Sequence, residues 1–279
     1  MSDRLGSGSA GPAWRDPPES TTGIEGGATA GRPLWWHEAL IVAVFYALYT
    51  TVRDVRGGSP VSAALAYHHA TDVIALERWL GIFREATIQS WFVHWRIVVV
   101  GLDGFYGTAH FVVTGAALLL LFFKSPTRYR RWRNTLACTT GVALIGFAVF
   151  PLMPPRLLPA SYHMVDTLQI VGGGWSFDAG LMSKVSNQFA AMPSLHFAWS
   201  AWSAFVLFPL LRPRWAKALA VMYPALTLVC VVVTANHYFL DIVGGAVTLA
   251  AGYLIGRAFT ATAAVRRRPS RRVPGRDQP

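Results

Sequence analysis

The chain has 279 residues, of which 53% are hydrophobic and only 14% charged, against ~45–50% apolar and ~25% charged in soluble domains. Such a sequence has too few charges to coat a soluble surface, and its mean hydropathy is +0.37. The net charge of +11 does not point to nucleic acid, because the basic residues stand in short clusters between long apolar runs, as they do in a polytopic membrane protein.

Residues 1–32 are rich in Gly, Ser, Pro, Ala and Thr, have no apolar period and lack the basic-then-apolar pattern of a signal peptide. They are expected to form a disordered tail. Apolar runs follow at 34–52, 96–123, 134–153, 195–211, 216–235 and 240–260. Each approaches the ~20 residues that cross a hydrocarbon core. Residues 33–262 are therefore expected to form an all-α membrane bundle with about six transmembrane helices. The second and sixth runs carry several Gly and Ala residues, which suits close helix packing. Cys138 and Cys230 both lie inside apolar runs and read as small core residues. Residues 263–279, with RRRPSRR, read as a basic tail near anionic headgroups.

The segment 61–94 is apolar but carries Asp72, Glu77, Arg78, Arg84 and Glu85. It is too charged to span. One or two amphipathic helices at the interface are expected there, as packing or a lid, or as the rim of a lipid entrance.

Orientation follows from charge. KSPTRYRRWR (124–133), RPRWAK (212–217) and the C-terminal tail are strongly basic, which assigns them to the cytoplasm. Both termini are then cytoplasmic, and 53–95, 154–194 and 236–239 face the other side of what is expected to be the plasma membrane.

Three elements on that outer side carry chemistry. In TANHYFLDIVGG (234–245), His237 and Asp241 are four apart, on one face of a helix. A carboxylate there orients an imidazole and raises its basicity. In AMPSLHFAW (191–199), Pro193 and Ser194 suit a helix start. That places free amides around Ser194 and Leu195, with His196 in the same turn, and such a terminus accepts phosphate. In PLMPPRLLP (151–159), Arg156 stands in a proline-stiffened turn and offers a planar fork to phosphate oxygens. The plain readings are a satisfied membrane His, a capped helix start and a snorkelling Arg. Zinc held by His237, His196, Asp241 and His163 is a rival use of the same residues.

PSLH (193–196) followed by HYFLD (237–241) resembles the second and third motifs of the PAP2 lipid phosphatase and phosphotransferase superfamily, and PPRLLP (154–159) takes the place of its first. The Leu in PSLH and the HYxxD form resemble the inositol phosphorylceramide synthase-like branch. The resemblance implies His237 as a nucleophile forming a phosphohistidine, Asp241 as its orienting carboxylate and His196 as general acid and base. It further implies Arg156, Ser194 and the amides near Leu195 as the phosphate cradle, with no metal or other cofactor. The implied partners are a lipid phosphate or phospholipid substrate and membrane lipids. Two cations usual in the family are missing: Val149 stands seven residues before Arg156, and Val231 six before His237. Lys184 is the candidate substitute, and His163, Asp166 and Asn187 are candidates for reading a head group. The competing expectation is a transporter or channel with a proton relay through the bundle, for which Asp103 and His110 in the second run are the pertinent residues.

Overall fold

In hydrocarbon a backbone must pair its polar groups within its own segment, which leaves the helix as the fold of long apolar runs. The structure, a computed structural model, describes residues 60–171 and 188–266, together with Trp36, Leu40, Ala43 and Ala47. These last four are helical. The rest of the 34–52 run, the tail 1–32, Lys184, Asn187 and residues 267–279 lie outside the described residues.

Eight α-helices carry the described fold. Two come first, α1 (Pro60–Trp79) and the short α2 (Glu85–Phe92). The bundle follows as α3 (Arg96–Lys124), α4 (Pro126–Val149), α6 (Leu195–Leu207), α7 (Arg214–Val233) and α8 (Phe239–Arg266). A one-turn helix, α5 (Thr167–Val171), lies in the connection from α4 to α6. The chain is an all-α membrane protein: α3, α7 and residues Phe239–Ala261 of α8 are long and apolar enough to cross a bilayer. The remaining predicted spans differ in detail. α4 starts at Pro126, eight residues before the predicted start of its span, and its first turns carry Arg128, Arg130, Arg131 and Arg133. α6 has only 13 residues.

α6 stands in the middle, packed on α3, α4, α7 and α8. Its Ala198, Trp202 and Val206 join Ala117, Leu121, Tyr129 and Leu249 in a buried core. Trp202 anchors that core by donating from its indole N–H to the Trp132 carbonyl at 3.0 Å. Outside, Ile97, Val112, Phe123, Val247, Leu254 and Phe259 are exposed, as lipid-facing side chains must be.

The glycines of the second and sixth predicted spans behave differently. Gly252 and Gly256 in α8 press against Thr139 and Thr135 of α4, with no room for a side chain. Gly101, Gly104 and Gly115 in α3 have nothing within 4 Å of where a Cβ would stand. The small-residue contact expected of both spans is therefore made by α8 and not by these three glycines of α3.

The segment 61–94 does form two helices, and Trp79 and Trp91, with Trp95 just beyond, are among its most exposed residues, where indoles suit a membrane interface. Its polarity is partly inverted relative to a surface helix. Glu77, Glu85 and Gln89 are buried while Leu65, Leu76 and Leu80 are exposed. The reason is local: these polar groups are spent on backbone groups of the loops, of the end of α7 and of α8.

Replacing Gly252 with Leu should break the α4–α8 contact and cost about 1–3 kcal/mol or more. Gly115→Ala should be neutral or slightly stabilising, since Ala is the better helix former. Thermal unfolding in detergent distinguishes the two: equal effects would contradict this packing.

Candidate active site

The chain between α7 and α8 turns within five residues, Thr234–Tyr238. α7 ends in a paired pattern: the Ala235 amide donates to the Val232 carbonyl at 3.0 Å and the Asn236 amide to Val231 at 3.0 Å. This is the double hydrogen bond of a Schellman cap. Its left-handed position is held by Ala235, at φ 51°, where glycine is usual. The turn throws the chain back, so that His237 emerges at the bundle end with its backbone amide also bonded to the Val231 carbonyl, at 3.2 Å.

His237 and Asp241 then meet across the first turn of α8. The imidazole Nδ1 lies 3.3 Å from Asp241 Oδ2, and the two side chains are 4% and 0% exposed. The same oxygen accepts the Tyr238 amide at 2.9 Å. A carboxylate at the third helical position that bonds back to the residue before the helix is half of a capping box. Asp241 thus fixes both the helix start and the ring. With Nδ1 engaged, Nε2 is the free nitrogen: it is buried and has no hydrogen-bond partner among the described residues.

The second motif joins at the same end. Ser194 is the cap of α6, its Oγ accepting the Phe197 amide at 3.4 Å. Its own amide donates to the Asp241 carbonyl at 2.9 Å, and Gly245 leaves room for this approach. The α6 start is therefore tied to the α8 start by backbone. This places His196 with its ring centroid 5.7 Å from that of His237. Leu195 opens α6 beside it.

Arg156 reaches the same place from the third element. It sits in a 3-10 turn, Pro155–Leu157. Its amide donates to the Ala235 carbonyl at 2.8 Å. Its Nε donates to Asn236 Oδ1 at 3.0 Å, and its Nη1 lies 3.5 Å from Asp166 Oδ2. The Arg fork is held in place by the residue next to His237, and Asp166 is in turn bonded by the Leu168 amide and the Gln169 side chain.

Arg156, Ser194, Leu195, His196, His237 and Asp241 are thus gathered at one end of the bundle. Lys184 and Asn187 lie outside the described residues. His163 is exposed on its loop, at φ 56°. Among the described residues no three His, Cys, Asp or Glu side chains come together as a metal-holding group. The two positions at which the resemblance implies cations are unlike one another: Val149 faces outward, and Val231 is fully buried, its carbonyl holding the turn.

The structure adds residues with no motif of their own. Tyr106 stacks on His196 with centroids 4.0 Å apart, and His110 meets the same ring edge-on at 4.3 Å. Their spacing of four on α3 is the signal the sequence held. Together with Phe105, Tyr223, Thr227, Cys230 and Val231 they line a small cavity beside His196. Asp103, two turns before His110 on α3, accepts from the Thr167 hydroxyl at 3.0 Å, at the start of α5 and next to Asp166. Asp103 stands in the first third of α3 and His110 at its midpoint, and both adjoin the site.

No curated protein and no solved structure matches the chain. The sequence model of the PAP2 superfamily matches residues 71–255, roughly two thirds of the chain. The matched stretch runs from the middle of α1 into α8 and holds every one of the residues gathered here, so this integral membrane protein belongs to the PAP2 superfamily.

Proposed function

We propose that the protein is a lipid phosphatase or phosphotransferase working through a phosphohistidine on His237. Membership of a superfamily of phosphatases and phosphotransferases supports the general class. The observation that carries the specific reading is the His237 ring: Nδ1 faces Asp241 at 3.3 Å, and Nε2 is buried without a partner among the described residues, on a ring that neighbours His196.

In the first half-reaction the Nε2 lone pair attacks phosphorus, the bond to the leaving alkoxide breaks, and His196 gives that oxygen a proton. Asp241 keeps Nδ1 as the protonated nitrogen throughout. In the second half, His196 takes a proton from the acceptor hydroxyl, the new P–O bond forms, and the P–N bond breaks, returning His237. Arg156, Ser194 and the amides at the start of α6 hold the phosphoryl oxygens as charge builds. Water as acceptor gives hydrolysis and an alcohol gives transfer. The PSLH and HYFLD forms favour transfer of a head-group phosphate such as inositol phosphate. The site opens to the extracytoplasmic face, opposite the basic loops, with Lys184 as a further cation for the head group. A proton relay through the bundle would need ionisable groups along its depth. Asp103 and His110 each contact a residue at or beside the site, Thr167 and His196, rather than continuing through the depth of α3, which favours the enzyme instead.

His237→Ala should abolish turnover of lipid phosphate and the acid-labile phosphoenzyme trapped with labelled substrate, while the protein still accumulates in membranes. Retained activity removes the nucleophile assignment. His196→Ala should slow both half-reactions, by ~10²–10⁴-fold. Arg156→Ala should weaken substrate binding as well as turnover, and EDTA should leave the rate unchanged.

A further inference from the structure

Glu77 ends α1 and Glu85 begins α2, and both are fully buried. Glu77 Oε1 accepts the Leu240 amide at 2.7 Å, and Glu85 Oε1 accepts the Phe239 amide at 3.2 Å. Asp241 accepts the Tyr238 amide. Three consecutive amides at the start of α8, which have no partner inside their own helix, are thus each met by a different carboxyl group. The residue before them is His237.

The second oxygens of the two glutamates, Oε2 of each, are also buried and find no donor among the described residues. The two carboxyl groups are close enough to act on one another. Two buried carboxylates side by side do not both ionise. One proton held between them satisfies both orphaned oxygens and leaves a single negative charge facing the positive pole of α8.

We propose that Glu77 and Glu85 are positioning residues, a proton-sharing carboxyl pair that clamps the first turn of α8 and holds the His237–Asp241 unit in its reactive geometry. The inference rests on the reading of His237 as the nucleophile, and it gives α1 and α2 a part in catalysis beyond covering the bundle.

The pair should respond to pH. Burial, followed by the hydrogen bond and the charge of Glu85, pushes Glu77 up to about 9. The groups facing it are Glu85 from α2, Asp241 from α8 and the Tyr238 phenol from the turn before α8. The adjacent Arg78 lies over the rings of Phe83 and Tyr162. Below about 9 the proton is present and the clamp holds. Above it a second negative charge appears between Glu85 and Asp241, the two glutamates repel, and the α8 start loosens. Activity should therefore fall on the alkaline side.

The test uses the full chain in detergent, with two readouts. Infrared spectroscopy should show the C=O stretch of a protonated buried carboxylic acid at pH 7, lost as pH passes about 9 and absent from Glu77→Gln. Turnover of phosphatidic acid in mixed micelles should show an alkaline limb in the wild type. Glu77→Gln, whose amide keeps an acceptor for Leu240 and a permanent donor for Glu85, should retain neutral-pH activity and lose that limb. Glu77→Ala should lower kcat by ~100-fold, the order expected for a displaced catalytic group, with KM little changed. A carboxylic band that persists in Glu77→Gln, an alkaline limb that stays in place there, or full kcat in Glu77→Ala would overturn the proposal. If the wild type turns over no lipid phosphate, the proposed function fails, and the infrared band alone decides the pair.

Discussion

Everything at the functional end of this protein depends on one constraint: the turn from α7 to α8 reverses the chain inside an apolar bundle, where an unpaired backbone amide costs several kcal/mol. The amides from Thr234 to Leu240 are all satisfied, by the carbonyls of α7 up to His237 and by the carboxyls of Asp241, Glu85 and Glu77 after it. The imidazole of His237 sits at the changeover between these two sets of acceptors. Its position is fixed by backbone pairing on both sides, which is a stiffer mounting than side-chain packing alone.

The other parts of the site are hung on this turn. Arg156 hydrogen-bonds the Ala235 carbonyl and the Asn236 side chain, and Ser194 bonds the Asp241 carbonyl. Tyr106 and His110 then wall in His196 from α3. Asp241 orients His237 and caps α8 with one oxygen. A group with two such duties cannot be replaced by a residue that performs only one of them.

How much of this was legible in the sequence depends on range. His237 and Asp241 were readable because four residues on a helix bring two side chains together without knowledge of anything else. The cap at Ser194 was readable from local chemistry. The helix bundle followed from apolar run length. The carboxyl clamp was not readable: Glu77 meets Leu240 across 163 positions and Glu85 meets Phe239 across 154, and a charged residue in an amphipathic stretch is ordinarily on its wet face. Their burial reverses that rule because the acceptors were needed inside. The glycines of α3 and α8 look alike in sequence, and only the partner helix separates a packed one from an open one. The reach of α4 to Pro126 was hidden because its four arginines resemble a loop when only hydropathy is followed.

The shortness of α6 sets how deep the chemistry takes place. Thirteen residues rise about 20 Å, roughly 10 Å less than a ~30 Å hydrocarbon core. The residues after α6 are basic, Arg212 in the connection and Arg214 and Lys217 in the first turn of α7, as suits side chains that reach up to a membrane surface. On the function proposed above, with the basic residues after α6 at one membrane surface, the missing length falls at the Ser194 end. A phosphate on a membrane-anchored molecule would then reach the site more readily than a soluble phosphate ester, which has no tether to draw it down.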